Sequence, residues 1–132
     1  MKPKISIVSL SVADLDRAVA FYRDGLGFPT HNYAEGDDYV MFALEGSWLA
    51  LHSHDQAIKD FPPGSARFSS FGLSHNVPSP AAVGEVYELA LRAGATGLKP
   101  PQEARWGGHE AAFADPDGHV WDIACNPFTD LT

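Results

Sequence analysis

The chain is poor in cysteine and in positive charge, and it lacks any long apolar run. Cys125 is the one cysteine among 132 residues, so no intrachain disulfide can form and stability must come from a packed core. Lys and Arg number 9 against 17 Asp and Glu, a net charge of −8. That balance disfavours nucleic-acid phosphates and anionic membranes and favours neutral or cationic ligands. No stretch approaches the roughly 20 apolar residues of a membrane-spanning helix. Lys2 and Lys4 lead straight into an alternating segment, without the apolar core of a signal peptide. The expectation is a soluble cytoplasmic protein with no nucleic-acid or membrane partner.

What is present is an ordinary globular composition, 45% hydrophobic and 20% charged, with room for one domain or for two small intertwined modules. Near the C-terminus, Asp115-Pro116-Asp117-Gly118 reads as a hairpin turn, because Pro116 presets φ and Gly118 accepts φ > 0. The following strand alternates, placing Val120, Asp122 and Ala124 on one face and Trp121, Ile123 and Cys125 on the other. Asp122 is thus expected alone among apolar neighbours, where a carboxylate needs a metal, a ligand or a donor.

From the start, residues 5–12 alternate as a half-buried strand, with Val8, Leu10 and Val12 on the apolar face and Ile7, Ser9 and Ser11 on the other. Asp14 suits the N-cap of a helix carrying Leu15, Ala18, Val19, Tyr22 and Leu26 at helical spacing, ended by Gly25 or Gly27. Strands are expected at 38–44 and 47–52, joined by a tight turn at Glu45-Gly46, while 31–37 stays open between loop and weak strand. Residues 53–69 read as a connector with room for one short helix. A second strand (71–77), a helix capped by Ser79-Pro80 and ended near Gly94, and strands around 109–114 and 120–125 follow.

The second half repeats the first. Val12 falls on Val77 and Tyr22 on Tyr87 at an offset of 65; Gly46 falls on Gly118 and Ala50 on Asp122 at 72, the difference being loop insertion. Each half is strand, helix, then about three strands. Two such sheets, each with a helix on one face, can curve into a shared cleft.

Val12-Ala13-Asp14-Leu15, Phe21-Tyr22, Leu26-Gly27-Phe28, Ala93-Gly94-Ala95 and Phe113-Ala114-Asp115-Pro116-Asp117-Gly118-His119 resemble the glyoxalase/bleomycin-resistance/dioxygenase superfamily, the vicinal oxygen chelate proteins. Trp106-Gly107-Gly108, Trp121 and Asn126-Pro127-Phe128 are similar to a subgroup of small bacterial members. The resemblance covers nearly the whole chain. It implies an α+β fold of two βαβββ modules, about 4–52 and 70–127 around the 53–69 connector, forming a cupped mixed sheet, commonly in a homodimer. It also implies, in metal-dependent members, ligands on the first and last strands of each module. Those positions correspond here to Ile7, Ala50, Gly72 and Asp122, of which only Asp122 can bind an ion, so no metal cofactor is expected. A rebuilt divalent-metal site remains open as an alternative, with His52, His54 if its strand continues, and Asp122 as ligands. His75 is expected to face the helix as a core histidine; His31, His109 and His119 fall in or near turns.

By alternation, the ligand pocket should draw on Ser9, Ser11, Trp48, His52, Ser74, Asn76, Val120 and Asp122, with Arg105 and Trp106 from the loop before. Trp48 and Trp106 suit either ligand stacking or ordinary packing, and Arg105 could equally pair with a surface carboxylate. Cys125 reads as inert packing. Two functions compete. One is a lyase, isomerase or dioxygenase-like enzyme, metal-dependent or using Asp122 as a general base raised by apolar burial. The other is a metal-free binder of a small molecule. A degenerate structural partner of another protein is a third.

Overall fold

In the computed structural model, the described residues are 1, 3, 5–30, 33–60 and 73–132, with only the backbone described for 58–60. Gly72, His31 and most of the connector therefore lie outside the described residues. The chain divides into two compact units, Met1–Ser69 and Ser70–Thr132.

In the first unit, β1 (Ile7–Val12) leads to α1 (Leu15–Val19), which continues as a π-helical turn over Ala20–Gly25. β2 (Tyr39–Phe42), β3 (Trp48–Ser53) and α2 (His54–Asp60) follow. Asp14 caps α1 by accepting from the Arg17 amide at 3.0 Å, satisfying one of the donors that a helix start leaves over. The sheet order is β1-β3-β2, with β1 parallel and β2 antiparallel to β3. Leu10, Val12, Val40, Phe42, Leu49 and Leu51 turn inward with Leu15, Ala18, Val19 and Tyr22, all of them buried. Each large side chain so buried contributes about 1.5–3 kcal/mol.

In the second unit, β4 (Leu73–Asn76), α3 (Pro80–Ala93), β5 (Thr96–Glu103), β6 (His109–Ala114) and β7 (Val120–Cys125) form a four-stranded sheet of order β4-β7-β6-β5. Ser79 caps α3 through the Ala82 amide at 3.2 Å, Pro80 opens it, and Gly94 at φ 110° ends it in a conformation that costs a residue without Cβ little. The sequence gives no strand signal for β5, since Pro100 and Pro101 withhold amide hydrogens. As the outer strand, with register shifts around Lys99, β5 tolerates both.

The two units share one register. Val8 pairs with Leu49 and Ser9 with Ala50 in the first; Leu73 pairs with Trp121 and Ser74 with Asp122 in the second, each shifted by the same 65 and 72 positions. Among the described residues the halves differ in one strand: where the second unit has β5, the first has an isolated bridge between Thr30 and Phe42. No described helix is long and apolar enough to cross a membrane.

Candidate functional site

In each unit the long helix, α1 or α3, packs on one face of the sheet. In the first unit the face turned away from α1 carries three cross-strand rows, because paired residues point the same way. Ile7 stands beside Trp48, Ser9 beside Ala50 and Met41, and Ser11 beside His52 and Tyr39. The expected Ser9, Trp48 and His52 are thus gathered on one surface. His52 is 7% exposed, its ring lying edge-on to Tyr39 with centroids 4.7 Å apart. Trp48 is half-exposed. Tyr39 and Met41 were not anticipated, although the alternation of buried Val40 and Phe42 between them carries the signal.

His54 does not extend β3. The strand stops at Ser53, whose hydroxyl accepts from the Gln56 amide at 3.2 Å and donates to Asp38 Oδ1 at 2.9 Å, so the chain turns into α2 and His54 becomes its first residue. Strand parity with His52 is lost. Its Nδ1 instead lies 2.6 Å from Ser11 Oγ.

In the second unit the face turned away from α3 carries Ser74, Asp122, Ala112 and Lys99 in one row, and Asn76, Ala124, Glu110 and Gln102 in the next. Ser74, Asn76 and Asp122 are again brought together. Asp122, however, is exposed, which corrects the expectation of a carboxylate enclosed by apolar neighbours. Its flanking residues Ser74 and Ala112 are too small to cover it, and the burial on which a general-base role depended is absent. His75 is also exposed rather than a core residue, because β4 is the outer strand and α3 packs over β5, β6 and β7. Sequence reasoning missed Lys99, Gln102 and Glu110. Lys99 Nζ donates to Glu110 Oε1 at 2.9 Å, which, with help from Gln102 and Trp106, holds that carboxyl below its ordinary value.

Trp106 and Arg105 lie in the loop between β5 and β6, both exposed. The Trp106 ring lies over Gly108, where any Cβ would overlap it and stand 2.6 Å from the Cys125 carbonyl. This explains the glycine pair by close approach. A cavity of about 340 Å³ lies between the end of β4 and the C-terminal tail, bordered by Asn76, Val77, Pro78 and residues 126–132. Of the expected pocket residues only Asn76 reaches it.

A family model described as the Glyoxalase/Bleomycin resistance protein/Dioxygenase superfamily matches residues 4–123. The chain belongs to that superfamily. A solved glyoxalase-related enzyme from Fulvimarina pelagi is similar in structure, with a TM-score of 0.86, 28% identity, and coverage of 98% of this chain and 93% of that one. Among curated proteins, Metallothiol transferase FosB from Lysinibacillus sphaericus is 25% identical over 119 residues, 90% of this chain and 79% of its own length. The protein of that name from Staphylococcus saprophyticus is 27% identical over 123 residues, 93% of this chain and 77% of its own.

Of the four positions that correspond to the ligand positions of metal-dependent superfamily members, one carries a side chain able to bind an ion. Ile7 and Ala50 offer hydrocarbon, and glycine at position 72 has no side chain to offer, leaving Asp122 from the four positions. Among the described residues, no three His, Cys, Asp or Glu side chains are grouped closely enough to share an ion.

Proposed function

We propose that this superfamily member binds a small organic molecule on a sheet face turned away from α1 or α3, without the usual metal, as a cytoplasmic homodimer of two βαβββ modules per chain. The supporting observation is the substitution pattern: serines, tryptophan, asparagine and one aspartate occupy those faces, while two of the four ligand positions carry Ile7 and Ala50. The candidate contacts are Ser9, Trp48 and His52 on the first sheet, and Ser74, Asn76 and Asp122, with Arg105 and Trp106, on the second. A few polar groups among apolar and aromatic ones orient a ligand without performing chemistry on it.

A second reading is favoured by the name of the two FosB relatives, metallothiol transferase. Here the chain is a metal-dependent enzyme, with His52 and Asp122 as candidate ligands. One experiment separates the two. Untagged protein is analysed for bound metal, then melted with nickel, zinc, manganese and iron, and separately with a library of small metabolites. Binding without chemistry predicts no stoichiometric ion, no metal-induced shift and stabilisation by a metabolite, since a ligand selective for the native state raises the melting temperature. Stoichiometric metal together with a metal-induced shift that is lost in both His52→Ala and Asp122→Ala establishes the second reading. Light scattering in solution tests the dimer.

A further inference from the structure

The charges on the face of the second sheet turned away from α3 are unevenly matched. Glu110 has its counter-ion: Lys99 Nζ lies 2.9 Å away, Gln102 Nε2 adds a contact at 3.5 Å, and Trp106 adds another. Asp122 has none. Among the described residues no cation, hydrogen-bond donor or ring reaches its carboxylate. Arg105, in the β5–β6 loop, makes no ion pair there among the described residues. Lys99 shares a row with Asp122 through Ala112, two strand spacings or about 10 Å away, near the distance at which salt screens a charge. It is in any case turned to Glu110.

The surroundings of Asp122 are also open. β7 is an inner strand, flanked by β4 and β6, so the carboxylate stands within the sheet face and not on its rim. Its row neighbours are Ser74 and Ala112, and its neighbours along the strand on that face are Val120 and Ala124. All four are short, leaving room above the carboxylate. Ser74 in the same row and Asn76 in the next supply hydroxyl and amide groups beside it. Among the described residues, Lys99, Glu110 and Asp122 leave the face one unbalanced negative charge in a chain of net charge −8.

Resting on the binding reading above, we propose that the guest of this face is a monocation, an organic ammonium or guanidinium whose charged group pairs with Asp122 while Ser74 and Asn76 hydrogen-bond its polar substituents. A dication lacks a second free carboxylate, and an anion meets the unbalanced charge directly.

The test uses the full chain in amine-free phosphate buffer with two probes of equal size, phenethylammonium and neutral phenethyl alcohol. Titration calorimetry should give phenethylammonium the tighter binding by about tenfold, the order expected of one exposed charge pair at low salt, and a preference that shrinks as salt is added. Asp122→Asn should remove the preference, bringing the ratio of the two affinities to about one; exposed, it is replaceable without loss of folding, which the melting temperature verifies. Lys99→Gln should act in the opposite direction, freeing Glu110 and strengthening the cation several-fold by adding a second unbalanced charge. Equal binding of both probes, or an unchanged preference in Asp122→Asn, overturns the monocation inference and leaves the binding reading standing. Absence of binding by either probe at about 10 mM, weaker than any useful affinity, also overturns it; the metabolite library then decides the binding reading separately.

Discussion

Ser11 Oγ and His54 Nδ1, 43 positions apart in the sequence, lie 2.6 Å from each other and tie the first residue of α2 to β1. The contact is exposed to solvent, so it contributes modestly, but it joins the start of the connector helix to the sheet. Ser11→Ala should lower stability by about 0.5–1 kcal/mol, the net worth of a solvent-accessible hydrogen bond. His54→Ala should cost about the same, and the double variant no more than either alone, because both remove one interaction. Urea melts of the four proteins measure this; full additivity contradicts the pairing.

Asp115 organises the last hairpin. Only 3% exposed, its Oδ1 accepts from the amides of Asp117 at 2.9 Å and His119 at 2.8 Å, while its backbone carbonyl accepts from Gly118 at 3.0 Å. Asp115→Ala strands two amides and should cost about 2–3 kcal/mol; Asp115→Asn keeps an acceptor oxygen and should cost less. Chemical denaturation midpoints of the two variants give the ranking directly.

Gly97 and Tyr87 are coupled by contact. A Cβ at position 97 would overlap the Tyr87 hydroxyl and stand 3.2 Å from its Cζ, with Leu91 Cδ2 at 3.5 Å. Gly97→Ala should therefore destabilise by about 1–3 kcal/mol through overpacking between α3 and β5. Part of that loss should return in Gly97→Ala combined with Tyr87→Phe, which removes the overlapping oxygen. A double variant no more stable than Gly97→Ala alone would falsify the steric account.

Acid sensitivity should report the Lys99–Glu110 pair. Lys99 draws the Glu110 carboxyl below its ordinary value of 4.5, so the folded state binds that proton less readily than the unfolded chain. The resulting stabilisation is present above 4.5 and is lost as pH falls through the lower native value. Asp16, lowered by the Tyr33 hydroxyl and the Gly36 amide, has the same sign. Glu110→Gln should be less stable than the parent near neutrality and converge on it in acid; melting curves taken across this range show the convergence or its absence.

Much of the architecture was legible because it is local or repeated. Asp14, Ser79, Pro80 and Gly94 announce the two main helices by cap chemistry alone, and matched Val12/Val77 and Tyr22/Tyr87 announce the duplication. Side-chain alternation placed Ser9, Trp48 and His52 on one face and Ser74, Asn76 and Asp122 on another. What alternation cannot supply is a strand's position in its sheet. His75 and Asp122 were assigned surroundings appropriate to a covered sheet, and both are exposed, the first on an outer strand and the second between small neighbours. His54 escaped for a different reason: the capping hydroxyl of Ser53 ends β3 one residue before the alternation could reach it. Glu110 was invisible because its role depends on Lys99, brought alongside only by an antiparallel pairing with two register shifts.

Ala50 and Asp122 occupy the same register position in their respective sheets, yet Ala50 is 1% exposed and Asp122 lies open. One copy has closed over its position while the other has kept it accessible. A carboxylate introduced at Ala50 would arrive in occupied space and require its neighbours to retreat as well. Repetition of the backbone thus does not repeat the room around it: a carboxylate accommodated on the second sheet cannot be transplanted to the first by a single change.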